Sequence, residues 1–231
     1  FQKMENFMEK YFQILRRCPL FQGITENELL VMLECLGARV IPFRKKETII
    51  AEGQSAKYIG IILKGSAQII QVDYFGKRSI VAGMEVSELF GESFACAGIK
   101  SIPIDVVAAE DTEVMLIDCL RLTHSCSNSC AFHQQTIYNL LKVMATKNLI
   151  FHQKIEITSK RTTREKLMTY LLLQVKKNDS VSFEIPYNRQ ELADYLGVER
   201  SGLSVEISKL CRQGLIEADK KKFKILKEIE E

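Results

Sequence analysis

Asn188-Arg189-Gln190-Glu191-Leu192-Ala193-Asp194-Tyr195-Leu196-Gly197-Val198-Glu199-Arg200-Ser201-Gly202-Leu203 decides how the chain is read. Asn188 can cap a helix, and Glu191, three places on, completes a capping box. Ala193 and Gly197 stand four apart, followed by Val198 and Leu203. A small residue lets two helices approach, a glycine takes the left-handed turn, and the apolar positions lock the crossing, which is helix-turn-helix spacing. Other helical hairpins can share this spacing, so the flanks matter. A second amphipathic helix is expected from about Arg200 to Gln213 and ends at Gly214-Leu215-Ile216. Lys220, Lys221, Lys222 and Lys224 follow in a short hairpin. A basic wing beside a recognition helix supplies phosphate contacts that position a protein on DNA without specifying sequence.

Moving N-terminally, Val181 to Ile185 reads as a strand. Thr162 and Glu165 form another capping box ahead of Leu167, Tyr170, Leu171 and Leu172, marking a domain boundary. From Lys160 to Lys227 there are fifteen Lys and Arg against nine Asp and Glu, whereas residues 1–159 hold seventeen of each, so the basic excess belongs to the C-terminal third. Such asymmetry points weakly to nucleic acid or acidic lipid, and equally suits a solvated surface. Before the boundary, a helical pattern runs from about Ser127 to Ile157. Ile137, Leu141, Met144, Asn148, Phe151 and Ile155 recur at steps of four and three, the seam of a two-stranded coiled coil, in which a lone Asn fixes register and oligomer number. A core helix packed on its own domain would be the competing reading.

From Arg39 to Ile117 the texture is short β-branched and aromatic runs: Glu47 to Ile50, Tyr58 to Leu63, Ala67 to Val72, Ser79 to Val81, Ile104 to Ala108 and Val114 to Ile117. Gly53, Gly65, Gly76, Gly83, Gly91 and Gly98 punctuate them. Strands at this spacing imply a sandwich or roll. Thr25 and Glu28 cap a short helix before it, ending near Gly37. With 46% hydrophobic and 26% charged residues over 231 positions, the chain is of globular composition. No apolar run approaches the length of a membrane span, and no basic segment leading into an apolar one reads as a signal peptide. Seven irregularly spaced cysteines do not make a disulfide framework, so a reducing cytoplasm is expected, with no membrane partner.

Together these features resemble the Crp/Fnr family of bacterial regulators, named for the cyclic-AMP receptor and the fumarate–nitrate reductase regulator. The resemblance runs from about Leu20 to Lys227. It rests on Pro42-Phe43-Arg44-Lys45, Glu52-Gly53, Leu63-Lys64-Gly65, Phe90-Gly91-Glu92, the long helix and Asn188 to Ala193. It implies an α+β chain: a jelly-roll, cyclic-nucleotide-binding-like sensor domain with N-terminal helices over 1–126, a dimerisation helix over 127–159, and a winged helix-turn-helix over 160–231. It also implies a homodimer on a palindromic operator of double-stranded DNA, with RNA polymerase as a further partner. The DNA-contacting set is then Arg200, Ser201 and Ser204 at the second helix, with Arg189, Gln190, Lys209, Lys221 and Lys222 around it. The family's Arg-Glu-x-x-x-Arg pattern becomes Arg200-Ser201-Gly202-Leu203-Ser204-Val205. One Arg survives, so a different operator is expected.

The sensor pocket of that resemblance comprises Phe90, Gly91, Glu92, Ile102, Pro103, Phe151 and His152. In cyclic-nucleotide-binding members an Arg, usually followed by Ser, stands ten residues after the Glu and pairs with the phosphate. Ile102 and Pro103 stand there instead. An aliphatic side chain cannot neutralise a buried phosphate and Pro offers no amide hydrogen, so cyclic AMP is not expected unless Lys100 substitutes. The Thr-Ser pair that touches adenine aligns with Phe151-His152. An iron–sulfur cluster is not expected either: Cys18 and Cys35 are too few near the N-terminus, and a [4Fe–4S] site needs four thiolates. Cys126, Cys130 and His133, with Cys119 upstream, are weak candidates for a metal, haem or thiol-redox site. Small residues packing a helix start account for them more simply. No His precedes residue 124, which leaves no cupin-type metal site, and no nucleophilic triad or phosphate loop is visible, so no enzyme is expected. The alternative to a DNA-binding regulator with a diverged pocket and an unknown small-molecule or redox effector is a metal-, haem- or redox-sensing signalling protein whose helix-turn-helix serves protein interaction.

Overall fold

The computed structural model describes residues 2–72, 78–124 and 131–226. The chain forms two compact units, Phe1–Ala145 and Thr146–Glu231. The first opens with α1 (Gln2–Arg17), a 3-10 turn (Pro19–Phe21) and α2 (Glu26–Cys35). The Thr25/Glu28 capping box forms at the start of α2: the Thr25 amide and hydroxyl both donate to Glu28 Oε2, at 2.9 and 2.7 Å. Satisfying an otherwise orphaned amide there fixes where the helix begins.

Eight strands follow among the described residues: β1 (Arg39–Phe43), β2 (Thr48–Ile50), β3 (Tyr58–Lys64), β4 (Ala67–Val72), β5 (Arg78–Met84), β6 (Leu89–Phe90), β7 (Asp105–Ala108) and β8 (Thr112–Asp118). They pair antiparallel into two four-stranded sheets, ordered β1-β8-β3-β6 and β2-β7-β4-β5. Apart from the β4–β5 hairpin, neighbours in each sheet come from distant parts of the sequence, the roll topology that the strand spacing predicts. β3 reads Tyr-Ile-Gly-Ile-Ile-Leu-Lys and is buried from Ile59 to Leu63, the run of a strand covered on both faces. One face joins Ile59, Ile61, Leu63, Met115 and Ile117 to Leu15, Leu29 and Met32 of the N-terminal helices. The other puts Ile62, Val114 and Leu116 with Ala67, Met84, Phe90 and Val106 between the sheets.

Two short helices interrupt the roll. α3 (Glu92–Cys96) leaves β6 through Gly91, and α4 (Cys119–Thr123) leaves β8 under an Asp118 cap that accepts from the amides of Leu120 and Arg121. α5 (Ala131–Thr158) then runs from the first unit into the second. Its early turns are anchored to the N-terminal segment: the Asn139 amide donates to the carbonyls of Leu20 (3.0 Å) and Gln22 (2.8 Å).

The second unit contains α6 (Thr163–Asn178), β9 (Ser182–Glu184), α7 (Arg189–Leu196), α8 (Arg200–Arg212), β10 (Ile216–Asp219) and β11 (Lys222–Ile225). Its sheet is ordered β10-β11-β9, and its core joins Leu167, Leu171, Leu192, Leu196, Leu203, Ile207, Leu210, Ile216 and Phe223. Lys154 in the last turns of α5 lies over the Tyr195 ring and its ammonium meets the Tyr195 carbonyl near the end of α7, where helix carbonyls lack partners. Burial lowers the pKa of Lys154 from its ordinary value.

Candidate nucleic-acid interface and sensor pocket

α7 and α8 are set by local chemistry. Asn188 accepts from the amides of Gln190 (2.9 Å) and Glu191 (3.0 Å), while Glu191 receives the Asn188 amide. Gly197 closes α7 in the left-handed region at φ +63°, and its amide returns to the Ala193 and Asp194 carbonyls. The chain therefore turns sharply into α8. Leu203, Ile207 and Leu210 bury one stripe of α8, leaving Arg200, Ser201, Gly202 and Val205 exposed. Arg200 is thus not a buried structural arginine. The Ser204 hydroxyl donates to the Arg200 carbonyl at 2.9 Å, which holds it against the helix backbone.

The other residues of the sequence-derived set divide. Gln190 is exposed and donates to Asp194 at 2.9 Å. Lys209 is exposed but lies 3.9 Å from Glu206, which also faces Arg164 at 3.7 Å. Arg189 stands over the Phe223 ring, and burial lowers its pKa, so part of its work is packing. In the wing, Lys222 is exposed on β11, whereas the Lys221 ammonium donates to the Pro186 carbonyl at 2.6 Å. Lys221 therefore meets a phosphate only by giving up that bond. Lys220 turns the hairpin with φ +50° and is exposed.

In the first unit, Gly91 adopts φ +77°, and a Cβ there would come within 3.2 Å of the Tyr58 carbonyl, so the position requires glycine. Phe90 and Glu92 are both 3% exposed; Ser93 donates to Glu92 at 3.4 Å. Ile102 is buried at 3%, held by main-chain bonds to Gln54 and Gly53 (both 2.9 Å) from the Glu52-Gly53 turn. The position after ten residues thus presents an aliphatic side chain to the interior. Pro103 and Lys100 are exposed. Phe151 and His152 are exposed on α5 in the second unit, Phe151 at 65%.

Among the seam residues, Leu141, Asn148, Phe151 and Ile155 are exposed and Ile137 is half-buried. Met144 is half-buried and packs against the first unit's core. Cys126 and Cys130 lie outside the described residues. His133 is buried, and its Nε2 is 2.8 Å from the Leu122 carbonyl, which ties the start of α5 to α4.

A winged helix-turn-helix following a roll with a Phe-Gly-Glu turn defines a DNA-binding transcription regulator with a built-in sensor fold. Residues 40–124 match the cyclic nucleotide-binding domain and residues 165–228 the Crp-like helix-turn-helix domain. The chain is similar to the transcriptional activator FnrA of Stutzerimonas stutzeri, with 25% identity over 81% of this chain and 77% of that one. It is also similar to FnrL of Cereibacter sphaeroides, with 24% identity over 80% and 75%. The solved structure of CLP, a c-di-GMP-responsive global regulator of Xanthomonas campestris, shares the fold at a TM-score of 0.52, with 17% identity over 86% of this chain and 98% of that one. The chain belongs to the Crp/Fnr family of transcription regulators.

Proposed function

We propose that two copies of the chain bind a palindromic operator in double-stranded DNA, seat the first turn of α8 in the major groove, and respond to an effector other than cyclic AMP. The observation that carries this reading is the exposed first turn of α8, with Arg200 and Ser201 free beside a buried Leu203. Arg200 offers the bidentate donor pair suited to guanine O6 and N7, and Ser201 is a short, permissive neighbour. Lys220 and Lys222 supply sequence-independent charge from the wing, and Gln190 stands at the start of α7. The apolar residues Leu141, Phe151 and Ile155, with Asn148, form the surface on which a second copy packs. RNA polymerase is the expected further partner, and the cytoplasm the place of action.

For the sensor, a buried Ile102 leaves a cyclic phosphate without a charge partner, and burying an unpaired anion is costly. Calorimetric titration with cyclic AMP is expected to show no binding tighter than about millimolar, equivalent to about −4 kcal/mol. A micromolar dissociation constant would assign the phosphate to Lys100 or another cation and refute the diverged pocket. A gel shift with the chain's own upstream region tests the DNA reading. A shift competed by specific but not scrambled duplex supports it, and equal competition by both would favour a helix-turn-helix turned to protein contacts.

A further inference from the structure

Cys96 and Cys119 are 23 residues apart in sequence, yet their Sγ atoms are 3.6 Å apart. Cys96 ends α3 and is exposed; Cys119 begins α4 and is 3% exposed. Both helices are held from the sheets they leave, α3 by Gly91 and α4 by Asp118 and by the Cys119 amide, which donates to the Lys57 carbonyl at 3.0 Å. An accessible thiol beside a shielded one, on two anchored helices, is the arrangement of an attacking and a resolving cysteine. A disulfide brings its sulfurs to about 2.05 Å, so the pair must close by roughly 1.5 Å. We propose that Cys96 and Cys119 form a reversible dithiol–disulfide site, with a hydroperoxide as the oxidant and Cys96 as the sulfur that meets it.

In the first step the Cys96 thiolate attacks the distal oxygen of ROOH. The O–O bond breaks, an alcohol leaves after taking up a proton, and Cys96 becomes a sulfenic acid, oxidised by two electrons while the peroxide is reduced by two. In the second, the Cys119 sulfur attacks the Cys96 sulfur. The S–S bond forms, the S–O bond breaks, and the departing hydroxide leaves as water with the Cys119 proton. Two thiols and one hydroperoxide thus give one disulfide, one alcohol and one water, and a small thiol reverses the linkage by exchange. The electrostatics agree with these roles. The hydrogen bond from Cys119 lowers the Cys96 pKa to about 7, against the opposing effects of partial burial and the Glu92 carboxylate. The same hydrogen bond, with burial, raises that of Cys119, so the thiolate that meets solvent is Cys96.

The test uses the full chain, reduced and then exposed to hydrogen peroxide, denatured in N-ethylmaleimide and mapped by peptide mass spectrometry. The expected result is a peptide joining Cys96 to Cys119 that disappears on reduction with dithiothreitol. Cys119→Ala is expected to stop at a Cys96 sulfenic acid that dimedone traps, and Cys96→Ser to leave Cys119 fully alkylated. Both cysteines alkylated in the oxidised parent would overturn the proposal. So would a dimedone adduct on Cys96 of the parent with no link to Cys119, or a disulfide from Cys96 to any other cysteine. The parent map alone decides these outcomes, even where a variant fails to fold.

Discussion

At the scale of single residues, Gly60 shows what the roll interior demands. It pairs with Phe90 across β3 and β6, and a Cβ built on it would run into the Phe90 ring. Gly60→Ala should therefore behave as overpacking, destabilising the first unit by about 1–3 kcal/mol, measured by urea unfolding; unchanged stability would mean the Phe90 ring moves freely. No pattern along the chain flags Gly60, since its need arises only when β6 is laid beside β3. The approach of Cys96 to Cys119 was illegible for the same reason, although Cys119 stood near the weak thiol-redox candidates of the sequence. The exposure of Arg200 was legible, because it follows from the periodicity of α8. Arg200→Ala should cost about 1–3 kcal/mol on a cognate half-site and relax discrimination there. Fluorescence anisotropy on cognate and scrambled duplexes reads this; equal weakening of both would make Arg200 a phosphate anchor.

Among the elements, those with strong local chemistry were readable and those defined by tertiary contact were not. The capping boxes at Thr25, Thr162 and Asn188 place α2, α6 and α7, because a cap satisfies amides within four residues of itself. α3 and α4, of five residues each, and the two-residue β6 are too short to express a period. For α5 the pattern gave a seam, but Met144 takes a place in the first unit's core while Leu141, Phe151 and Ile155 stay exposed. A helix that serves a core and, as proposed, an interface at once cannot keep one clean apolar stripe. Asn148 is exposed within the apolar stretch. Replacing it with Leu should hold or raise stability while loosening the dimer towards higher oligomers in sedimentation. A strict dimer in Asn148→Leu would leave Asn148 without a specifying role, and a monomeric parent would dispose of the seam.

For the molecule as a whole, both units carry carboxylates that fold below their ordinary value of 4.5: Glu28 and Glu165 through bonds from their capping threonines, and Glu113 through Tyr11 and then Lys10. A depressed carboxylate stabilises the fold above its unfolded pKa, and that contribution is lost as pH falls through the folded value. Thermal unfolding followed from neutral pH to about pH 3 should show both units weakening on the acid side. Replacing Glu28, Glu113 and Glu165 together by Gln should flatten that limb, since Gln still completes a capping box but does not titrate. An acid limb as steep in the triple variant would place the sensitivity elsewhere. A Cβ added at Gly202 meets nothing within 4 Å, so the exposed first turn of α8 holds a site open to a side chain without disturbing the core. Substitution there also relieves the penalty of roughly 0.5–1 kcal/mol that glycine imposes inside a helix. If the first turn of α8 reads DNA as proposed, a lineage changes its binding-site preference at this codon while gaining fold stability, and a new regulatory circuit does not await a compensating mutation.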